Sequence, residues 1–201
     1  MNLELTGKHV FIAGASRGIG HATVKRFSSA GWRVITCSRH AFTDKCPWPA
    51  GPEDHIQVDL ADQSSIDHAV SEIRLRVEAD GGLLDALVNN AAHSIRRPIE
   101  QSFDRLHDYQ RTVQLNYIGA VAMTLQFLPR FVQQGHGHVV NISSLSTQIP
   151  IPLFSAYLAS KSALESFTRS LEAEMGHQGI STTVVYFPMV RTPMSSRTAI
   201  Y

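Results

Sequence analysis

Short apolar segments alternate with longer segments of helical character along the chain. Six runs rich in valine and isoleucine are candidate strands, at residues 9–14, 33–38, 55–58, 86–90, 138–143 and 181–187. Continuous runs of this kind are typical of strands that are buried on both faces of a parallel sheet. Helical patterns lie between them, at residues 18–30, 63–79, 104–133 and 155–176. This alternation predicts an α/β fold with a parallel sheet and right-handed crossovers.

Composition and charge favour one domain that spans residues 1–201. The hydrophobic content of 43% is ordinary, and 18 basic residues against 17 acidic ones leave a formal net charge of +1. Because nucleic-acid binding usually needs a clear basic surplus, we expect no nucleic-acid partner. The apolar runs are far shorter than the roughly 20 residues that cross a bilayer, so no transmembrane segment is expected. Cys37 and Cys46 do not make a disulfide framework, which favours a cytoplasmic location.

A glycine-rich turn follows the first predicted strand and opens the first predicted helix. Its sequence over residues 14–20 is GASRGIG. Glycine lets backbone N–H groups approach a pyrophosphate, and the helix N-terminus adds a partial positive charge there. A turn that binds no ligand is the alternative. The candidate dinucleotide contacts in this turn are Gly14, Ser16, Arg17, Gly18, Ile19 and Gly20.

The end of the second predicted strand bears on the choice of nucleotide. An acidic residue at this place binds the ribose 2′-hydroxyl of NAD, whereas arginine suits the 2′-phosphate of NADP. Ser38 and Arg39 end the strand without a carboxylate, and Arg17 lies in the glycine-rich turn. The pattern therefore favours NADP (NADPH) as the cofactor. The alternative is that both arginines are solvated surface charges.

The segments after the third and fourth strands offer further contacts. Asp59 could accept a hydrogen bond from an adenine amine, or it could belong to the N-cap region of the next helix. Small residues around Asn90 and Ala91 allow close backbone approach to a cofactor, although a plain turn is the alternative. Arg96 and Arg97 could meet an anionic substrate such as a CoA or carrier phosphate, or they could lie in a solvated loop. The scattered histidines have no convincing metal spacing, so no metal site is expected.

Tyr157 and Lys161 are four residues apart in a helical pattern, which places both side chains on one helix face. A lysine ammonium beside a phenol favours the phenolate and lowers the tyrosine pKa from about 10 toward neutrality. Such a tyrosine can act as a general acid or base, with an ordinary surface pair as the alternative. Ser144, thirteen residues earlier, could steady the same oxygen, and Ser143 is its rival. Asn116 is a middling-to-poor helix former in the middle of a helical run.

Together these motifs resemble the short-chain dehydrogenase/reductase family. The matching segments are GASRGIG, VDL, NNAA, QLNY, HVVNISS, Y-x-x-x-K and P-x-x-x-T, in family order across nearly the whole chain. The resemblance implies a doubly wound parallel sheet of the Rossmann type, in three layers. It implies that Tyr157 is the general acid/base and that Lys161 holds the nicotinamide ribose. It also implies that Ser144 binds the substrate oxygen and that Asn116 holds a water. The cofactor contacts implied by the matched positions include Tyr157, Lys161, Leu60, Pro188, Val190 and Thr192.

The resemblance implies an NADPH-dependent oxidoreductase. The apolar segment 149–154, together with Met189 and Met194, favours a hydrophobic ketone, aldehyde or acyl thioester as substrate. The segments FPMVRTPM and FSAYLASK resemble those of fatty acyl-CoA reductases, so aldehyde formation from an acyl-CoA is an alternative. A non-catalytic NADP-binding sensor or scaffold module is a second alternative.

Two departures from the family pattern stand out. Met189 follows Pro188 where the family usually has glycine, and the chain stops at Tyr201, which predicts a truncated chain or a sheet one strand short.

The helices predicted over 104–133 and 155–176 carry apolar residues on more than one side. A helix that is apolar nearly all round needs burial on both faces, so a homodimer or homotetramer is expected.

Overall fold

Six parallel strands form one sheet. In the computed structural model, which describes residues 7–41 and 52–196, they are β1 His9–Ala13, β2 Arg33–Ser38, β3 His55–Gln57, β4 Leu84–Asn89, β5 Gly137–Ser144 and β6 Ile180–Phe187. Their order across the sheet is 3-2-1-4-5-6, and every neighbouring pair is parallel. This order confirms the doubly wound sheet predicted from the sequence. All six predicted strands are present, with boundaries that differ from the predicted ones by at most two residues.

Helices cover both faces of the sheet. They are α1 Gly18–Ser29, α2 Gln63–Ala79, α3 Leu106–Val113, α4 Gly119–Gln134, α5 Ser155–Met175 and α6 Pro193–Ser196. Successive side chains of β1 point to opposite faces. Phe11 joins the core formed with α2 and α4, whereas Val10 and Ile12 join a second core that includes Val24 of α1. The three-layer Rossmann fold is thereby confirmed.

The single helix predicted over residues 104–133 is wrong in one respect. A π-helical turn, Gln114–Ile118, separates α3 from α4. The backbone stays helical on both sides of it, so the chain continues in nearly the same direction with one wider turn. Asn116, at the centre of the turn, is fully buried. Such turns are frequent at functional sites, and the apolar pattern does not report them because it continues through the turn.

The surface excursion predicted for residues 40–54 falls largely outside the described residues. The residues outside the described part of the chain are 42–51, which include Cys46. Pro52–Asp54 form a 3₁₀ turn that leads into β3. Within the described residues, β3 and β6 are the two edges of the sheet. None of the helices in the described part of the chain is long and apolar enough to cross a membrane.

Candidate active site

The candidate site lies along the carboxyl edge of the sheet. Parallel strands end at a common edge, so the segments that follow them leave the sheet side by side. The glycine-rich turn follows β1, Asn90 follows β4, Ser144 ends β5 and Pro188 follows β6. β1, β4, β5 and β6 are consecutive in the sheet. The fold therefore collects the sequence motifs along one edge.

The glycine-rich turn forms a cradle that larger residues would fill. Gly14 has a φ of +75°, and a Cβ placed on it would lie 2.6 Å from Cα of Ala91. A Cβ on Gly20 would lie 2.2 Å from the carbonyl oxygen of Gly14. Asn90 ties the turn to β4, because its Nδ2 donates to the same carbonyl at 2.9 Å. Close backbone packing at the N-terminus of α1 fits the pyrophosphate of a dinucleotide.

The segment after β6 returns to this cradle. A Cβ on Gly18 would lie 3.2 Å from Cγ2 of Thr192, so these two residues are neighbours. Pro188 and Val190 are exposed, as is Met189, with 86% of its surface accessible. Among the described non-glycine residues, only Leu153 has a positive φ. Methionine is therefore accommodated at position 189 without the backbone freedom of glycine.

The end of β2 carries the residues predicted to select the nucleotide. The Ser38 hydroxyl donates to the carbonyl of His40 at 2.9 Å and lies 3.2 Å from Nε2 of His55. Arg39 is exposed beside it. Arg17 is also exposed and makes no side-chain capping hydrogen bond at the start of α1. β1 and β2 are adjacent, so two exposed guanidinium groups follow neighbouring strand ends.

Within the glycine-rich turn and the start of α1, the half-buried positions include Ser16 and Ile19.

The two residues predicted after β3 have different environments. Asp59 is exposed, and its Oδ1 accepts a hydrogen bond from Ala61 N at 2.9 Å. The N-cap of α2 is Asp62, so Asp59 shapes the preceding turn and is not the cap itself. The Leu60 side chain is part of the hydrophobic core. The predicted cofactor contact of Leu60 therefore does not involve an exposed side chain.

Ser144 and Tyr157 meet at the centre of the site. Ser144 ends β5, Tyr157 lies in the first turn of α5, and the Ser144 side chain is a hydrogen-bonding neighbour that acts on the pKa of Tyr157. The neighbouring Ser143 is buried, and its hydroxyl donates to Oε1 of Glu165. The alternation of side chains along β5 therefore separates the two rival serines. The paired hydroxyls of Ser144 and Tyr157 can bind one substrate oxygen together.

Lys161 lies one helical turn beyond Tyr157 on α5. Its Nζ donates to the carbonyl oxygen of Ile142 at 2.6 Å and lies 6.0 Å from the centroid of the Tyr157 ring. The residue is only 1% exposed. Burial lowers the pKa of Lys161 from 10.5 to about 8, and the charge of Glu165 acts in the opposite direction. The ammonium group is therefore held in a nearly dry environment.

The expected lowering of the tyrosine pKa is wrong for this arrangement. Burial raises the pKa of Tyr157, and the hydrogen bond from Ser144 partly opposes that effect. Desolvation of the phenol is the larger of these two effects. A phenol that stays protonated is suited to donate its proton to a developing alkoxide.

Asn116 connects the π-helical turn to the first turn of α5. Its Nδ2 donates to Oγ of Ser160 at 3.0 Å, and that hydroxyl donates to the carbonyl of Tyr157 at 2.7 Å. The same side chain holds the backbone of His93 after β4. The structure thus brings Asn116, Ser144, Tyr157 and Lys161 into one connected region.

A group of cations around Asp108 was only partly anticipated from the sequence. Asp108 of α3 is 3% exposed, and four basic side chains come within 3.2 to 3.5 Å of its carboxylate: Arg97, Arg105, His107 and Arg111. A shallow cavity beside them is also lined by Tyr109, Leu153, Ser155 and Ala156. Of these residues, only Arg97 was predicted from the sequence to meet an anionic ligand. The spacing of Arg105, Asp108 and Arg111 at intervals of three was the available signal.

Comparison with known proteins agrees with this fold. Residues 8–199 match the family model of the short chain dehydrogenases, so the chain belongs to that family. An uncharacterized oxidoreductase of Mycobacterium bovis is 42% identical over 206 residues, which cover 100% of the chain and 60% of the relative. The fatty acyl-CoA reductase of Acinetobacter baylyi is also 42% identical, over 98% of the chain and 68% of the relative. The chain spans about 60% of the length of the first of these relatives.

Solved structures show the same likeness. An oxidoreductase of the short chain dehydrogenase/reductase family from Brucella ovis, in complex with a partially ordered NAD, is 42% identical with a TM-score of 0.81. The match covers 90% of the chain and 82% of that structure. A short-chain dehydrogenase from Streptomyces avermitilis is 30% identical with a TM-score of 0.84, over 97% of the chain and 72% of that structure.

Proposed function

We propose that the protein is an oxidoreductase that reduces a hydrophobic carbonyl compound, with NADPH as its cofactor. The neighbouring side chains of Ser144 and Tyr157, with the buried Lys161 one helical turn beyond Tyr157, are the observation that carries the proposal. When bound at the glycine-rich cradle, NADPH would supply the hydride. Tyr157 donates its proton to the substrate oxygen, and Ser144 donates a hydrogen bond to the same oxygen. The positive charge of Lys161 stabilises the phenolate that remains.

The preference for NADPH rests on charge at the end of β2. Arg17 and Arg39 are both exposed and follow neighbouring strands. The position at the end of β2 that would carry a carboxylate in an NAD site is occupied by Ser38, which is hydrogen-bonded to the His40 carbonyl. Guanidinium groups suit a ribose 2′-phosphate because they can form charge-assisted, bidentate hydrogen bonds.

The hydrophobic nature of the substrate rests on apolar side chains around the site. Ser144 is opposite Phe187 in the register of β5 and β6, so the segments that follow these strands leave the sheet together. The large apolar side chains exposed on these segments are Leu145, Ile149, Met189, Val190 and Met194. Flexible methionines adapt to irregular apolar ligands. A long-chain ketone, aldehyde or acyl thioester matches this surface better than a sugar does.

A second candidate activity is the reduction of an acyl-CoA to an aldehyde. The specific observation is the cation group around Asp108, where Arg97, Arg105 and Arg111 outnumber the one carboxylate. The backbone N–H of Arg97 donates to the carbonyl of Leu153 at 2.8 Å, which links this group to the segment just before Tyr157. The surplus positive charge suits the phosphates of CoA. The Acinetobacter baylyi relative carries the name of this activity.

A kinetic screen tests the proposed function. Aliphatic ketones, aldehydes, acyl-CoAs, steroids and sugars are offered with NADPH and with NADH. The proposal expects the highest kcat/KM with NADPH and a hydrophobic carbonyl compound. Best activity on a sugar would overturn the hydrophobic substrate. The absence of turnover with every carbonyl, together with tight NADPH binding, would instead favour the sensor or scaffold alternative.

The acyl-CoA candidate is tested with thioesters that differ only in their carrier. Palmitoyl-CoA is compared with palmitoyl-N-acetylcysteamine, which lacks phosphates, in the wild type and in Arg111→Gln. If this candidate is correct, palmitoyl-CoA gives free aldehyde and CoA. The KM for palmitoyl-CoA is then higher in Arg111→Gln than in the wild type, whereas the KM for palmitoyl-N-acetylcysteamine is unchanged. Equal KM values for both thioesters in the wild type would contradict a role for the cations.

A further inference from the structure

A third ionisable side chain continues the line of Tyr157 and Lys161 along α5. Glu165 lies four residues beyond Lys161, so the three side chains share one face of the helix. Glu165 is only 5% exposed. Buried carboxylates are rare unless they are paired or hydrogen-bonded, so the contacts of Glu165 indicate what it does.

The Glu165 carboxylate receives hydrogen bonds from three different elements. Its Oε1 accepts from the hydroxyl of Ser143, at the end of β5. Its Oε2 is approached by Nε2 of Gln148 at 3.5 Å, in the turn after β5, and by the hydroxyl of Tyr186 of β6 at 3.4 Å. Glu165 thereby fastens the carboxyl ends of β5 and β6 to α5. Ser144 is the next residue after Ser143, so this attachment fixes its backbone.

Lys161 is attached to the adjacent residue of the same strand. Its Nζ donates to the carbonyl of Ile142, one residue before Ser143. The two oppositely charged side chains of α5 therefore contact consecutive residues of β5. Glu165 is the charged group whose interaction opposes the effect of burial on Lys161.

The other charged or titratable groups near this carboxylate are few in the described residues. Tyr186 faces it from β6, and Arg169 of α5 acts on Tyr186. β5 and the following turn contribute only the neutral Ser143 and Gln148. The π-helical turn packed against α5 contributes the neutral Asn116. Glu165 therefore acts on two ionisable groups, because it raises the pKa of Tyr186 and opposes the lowering of the Lys161 pKa by burial.

We propose that Glu165 is a positioning residue of the reductase. Its carboxylate holds the end of β5, which carries Ser144, against α5, and it keeps the buried ammonium of Lys161 charged beside Tyr157. This inference rests on the proposed function, because the benefit of both effects is proton donation by Tyr157. Nothing in the spacing of the family motif requires a carboxylate at this position.

The test has one arm that does not depend on turnover. The sequence contains only four lysines, so ¹³Cε-labelled lysine gives resolvable resonances in the cofactor-free protein. The Lys161 resonance, assigned by its loss in Lys161→Met, is expected to titrate near pH 8 in the wild type. In Glu165→Gln its midpoint is expected to fall by about one pH unit, since the favourable opposite charge is removed. Glu165→Asp keeps the charge and is expected to stay near the wild-type midpoint.

The second arm is the pH profile of kcat/KM. The alkaline limb in Glu165→Gln is expected to move to lower pH by the same amount, with roughly fivefold lower activity at the wild-type midpoint. Glu172→Gln is the matched control, because Glu172 lies on the same helix and accepts a hydrogen bond from Thr182 N of β6 at 2.7 Å. Neither the resonance nor the limb is expected to move in that variant.

Each outcome decides between the two roles. A Glu165→Gln protein that is less active by the same factor at every pH, with an unmoved Lys161 resonance, would overturn the electrostatic role. If the Lys161 resonance shifts in Glu165→Gln but the alkaline limb of kcat/KM does not, the link to proton donation would be overturned. Wild-type protein that reduces no carbonyl compound would overturn the proposed function, whereas the resonance would still report whether Glu165 acts on Lys161.

Discussion

The amide of Asn116 holds the backbone of His93 at both of its polar groups. Oδ1 of Asn116 accepts from His93 N at 2.7 Å, and Nδ2 donates to His93 O at 2.8 Å. The two residues belong to the π-helical turn and to the loop after β4. This double contact fixes the loop beside the glycine-rich cradle, and the bond to Ser160 extends it to α5.

Replacing Asn116 by alanine is expected to destabilise the fold and to reduce activity. The variant leaves the polar backbone groups of His93 without their partners, which costs about 2–4 kcal/mol in the free energy of unfolding. Urea unfolding measures this loss. Asn141→Ala is a matched control, because Asn141 is also buried and hydrogen-bonded, to Asn89 and Thr168. Equal losses of kcat/KM in both variants at equal stability would show that the Asn116 contacts matter only for folding.

Removal of the Tyr157 hydroxyl is expected to abolish turnover while the cofactor still binds. Tyr157→Phe keeps the ring and loses only the proton donor, so kcat is expected to fall by about 10²–10⁴-fold. Fluorescence titration with NADPH measures the retained binding. Tyr109→Phe is the control, because it also removes a phenolic hydroxyl near the site. That hydroxyl is hydrogen-bonded to Ser155 at 2.8 Å. Near-normal kcat in Tyr157→Phe would refute the assignment.

Reversing the charge of Arg39 is expected to weaken the preference for NADPH. Arg39→Asp removes a guanidinium and adds a carboxylate that repels the 2′-phosphate, which shifts the discrimination between NADPH and NADH by a few kcal/mol. The ratio of kcat/KM for the two nucleotides measures the change. Arg26→Asp, at the far end of α1, is expected to leave the ratio unchanged. A wild-type protein that prefers NADH would contradict the prediction.

Burial of Lys161 is expected to cost stability at neutral pH. A pKa lowered from 10.5 to about 8 in the folded state corresponds to a cost of about 3 kcal/mol at most. The cost is fully present below pH 8, where lysine is protonated in both states, and it disappears as the pH rises toward 10.5. Lys161→Met is therefore expected to be inactive and to have a higher Tm at pH 7, by several degrees. A Tm difference that does not shrink between pH 8 and pH 10.5 would argue against this cause.

We expect a homodimer or homotetramer in solution. α4 buries Met123 and Phe127, yet Leu125 on the same helix is 52% exposed. The exposed positions along α5 include small residues, among them Ala159, Ser162 and Ser166, which permit close helix packing. Ser166→Arg is expected to give monomers by light scattering, whereas Ser71→Arg on the exposed side of α2 is not. A monomeric wild type at micromolar concentration would contradict the expectation.

The strands and most helices could be predicted because burial dictates their composition. All five residues of β1 are buried, which is why an unbroken apolar run marks it. β3 was harder to delimit, since it is three residues long and Gln57 is exposed. The π-helical turn could not be predicted, because a single extra residue hardly changes a helical pattern of apolar positions.

The proximity of Tyr157 and Lys161 was predictable from their spacing, whereas the environment of these side chains was not. Tyr157 and Lys161 lie on one helix, so their proximity follows from a separation of four. Glu165 meets Ser143 across 22 positions of sequence, a contact that only the packing of α5 on β5 creates. The direction of the Tyr157 pKa shift likewise depends on burial, which requires the assembled fold.

The π-helical turn at Gln114–Ile118 has a consequence for how the chain tolerates change in length. Because each residue of an α-helix advances the chain by about 100° around its axis, the turn acts as a one-residue insertion between α3 and α4. Deleting one of its residues would permit an uninterrupted α-helix, which is locally the more favourable conformation. The helical phase of α3 against α4 would then rotate, and Asn116 could not face His93 and Ser160 while Phe127 and Phe131 stay in the core. Deleting one residue of the π-helical turn would thus favour a continuous α-helix and remove the Asn116 contacts with His93 and Ser160.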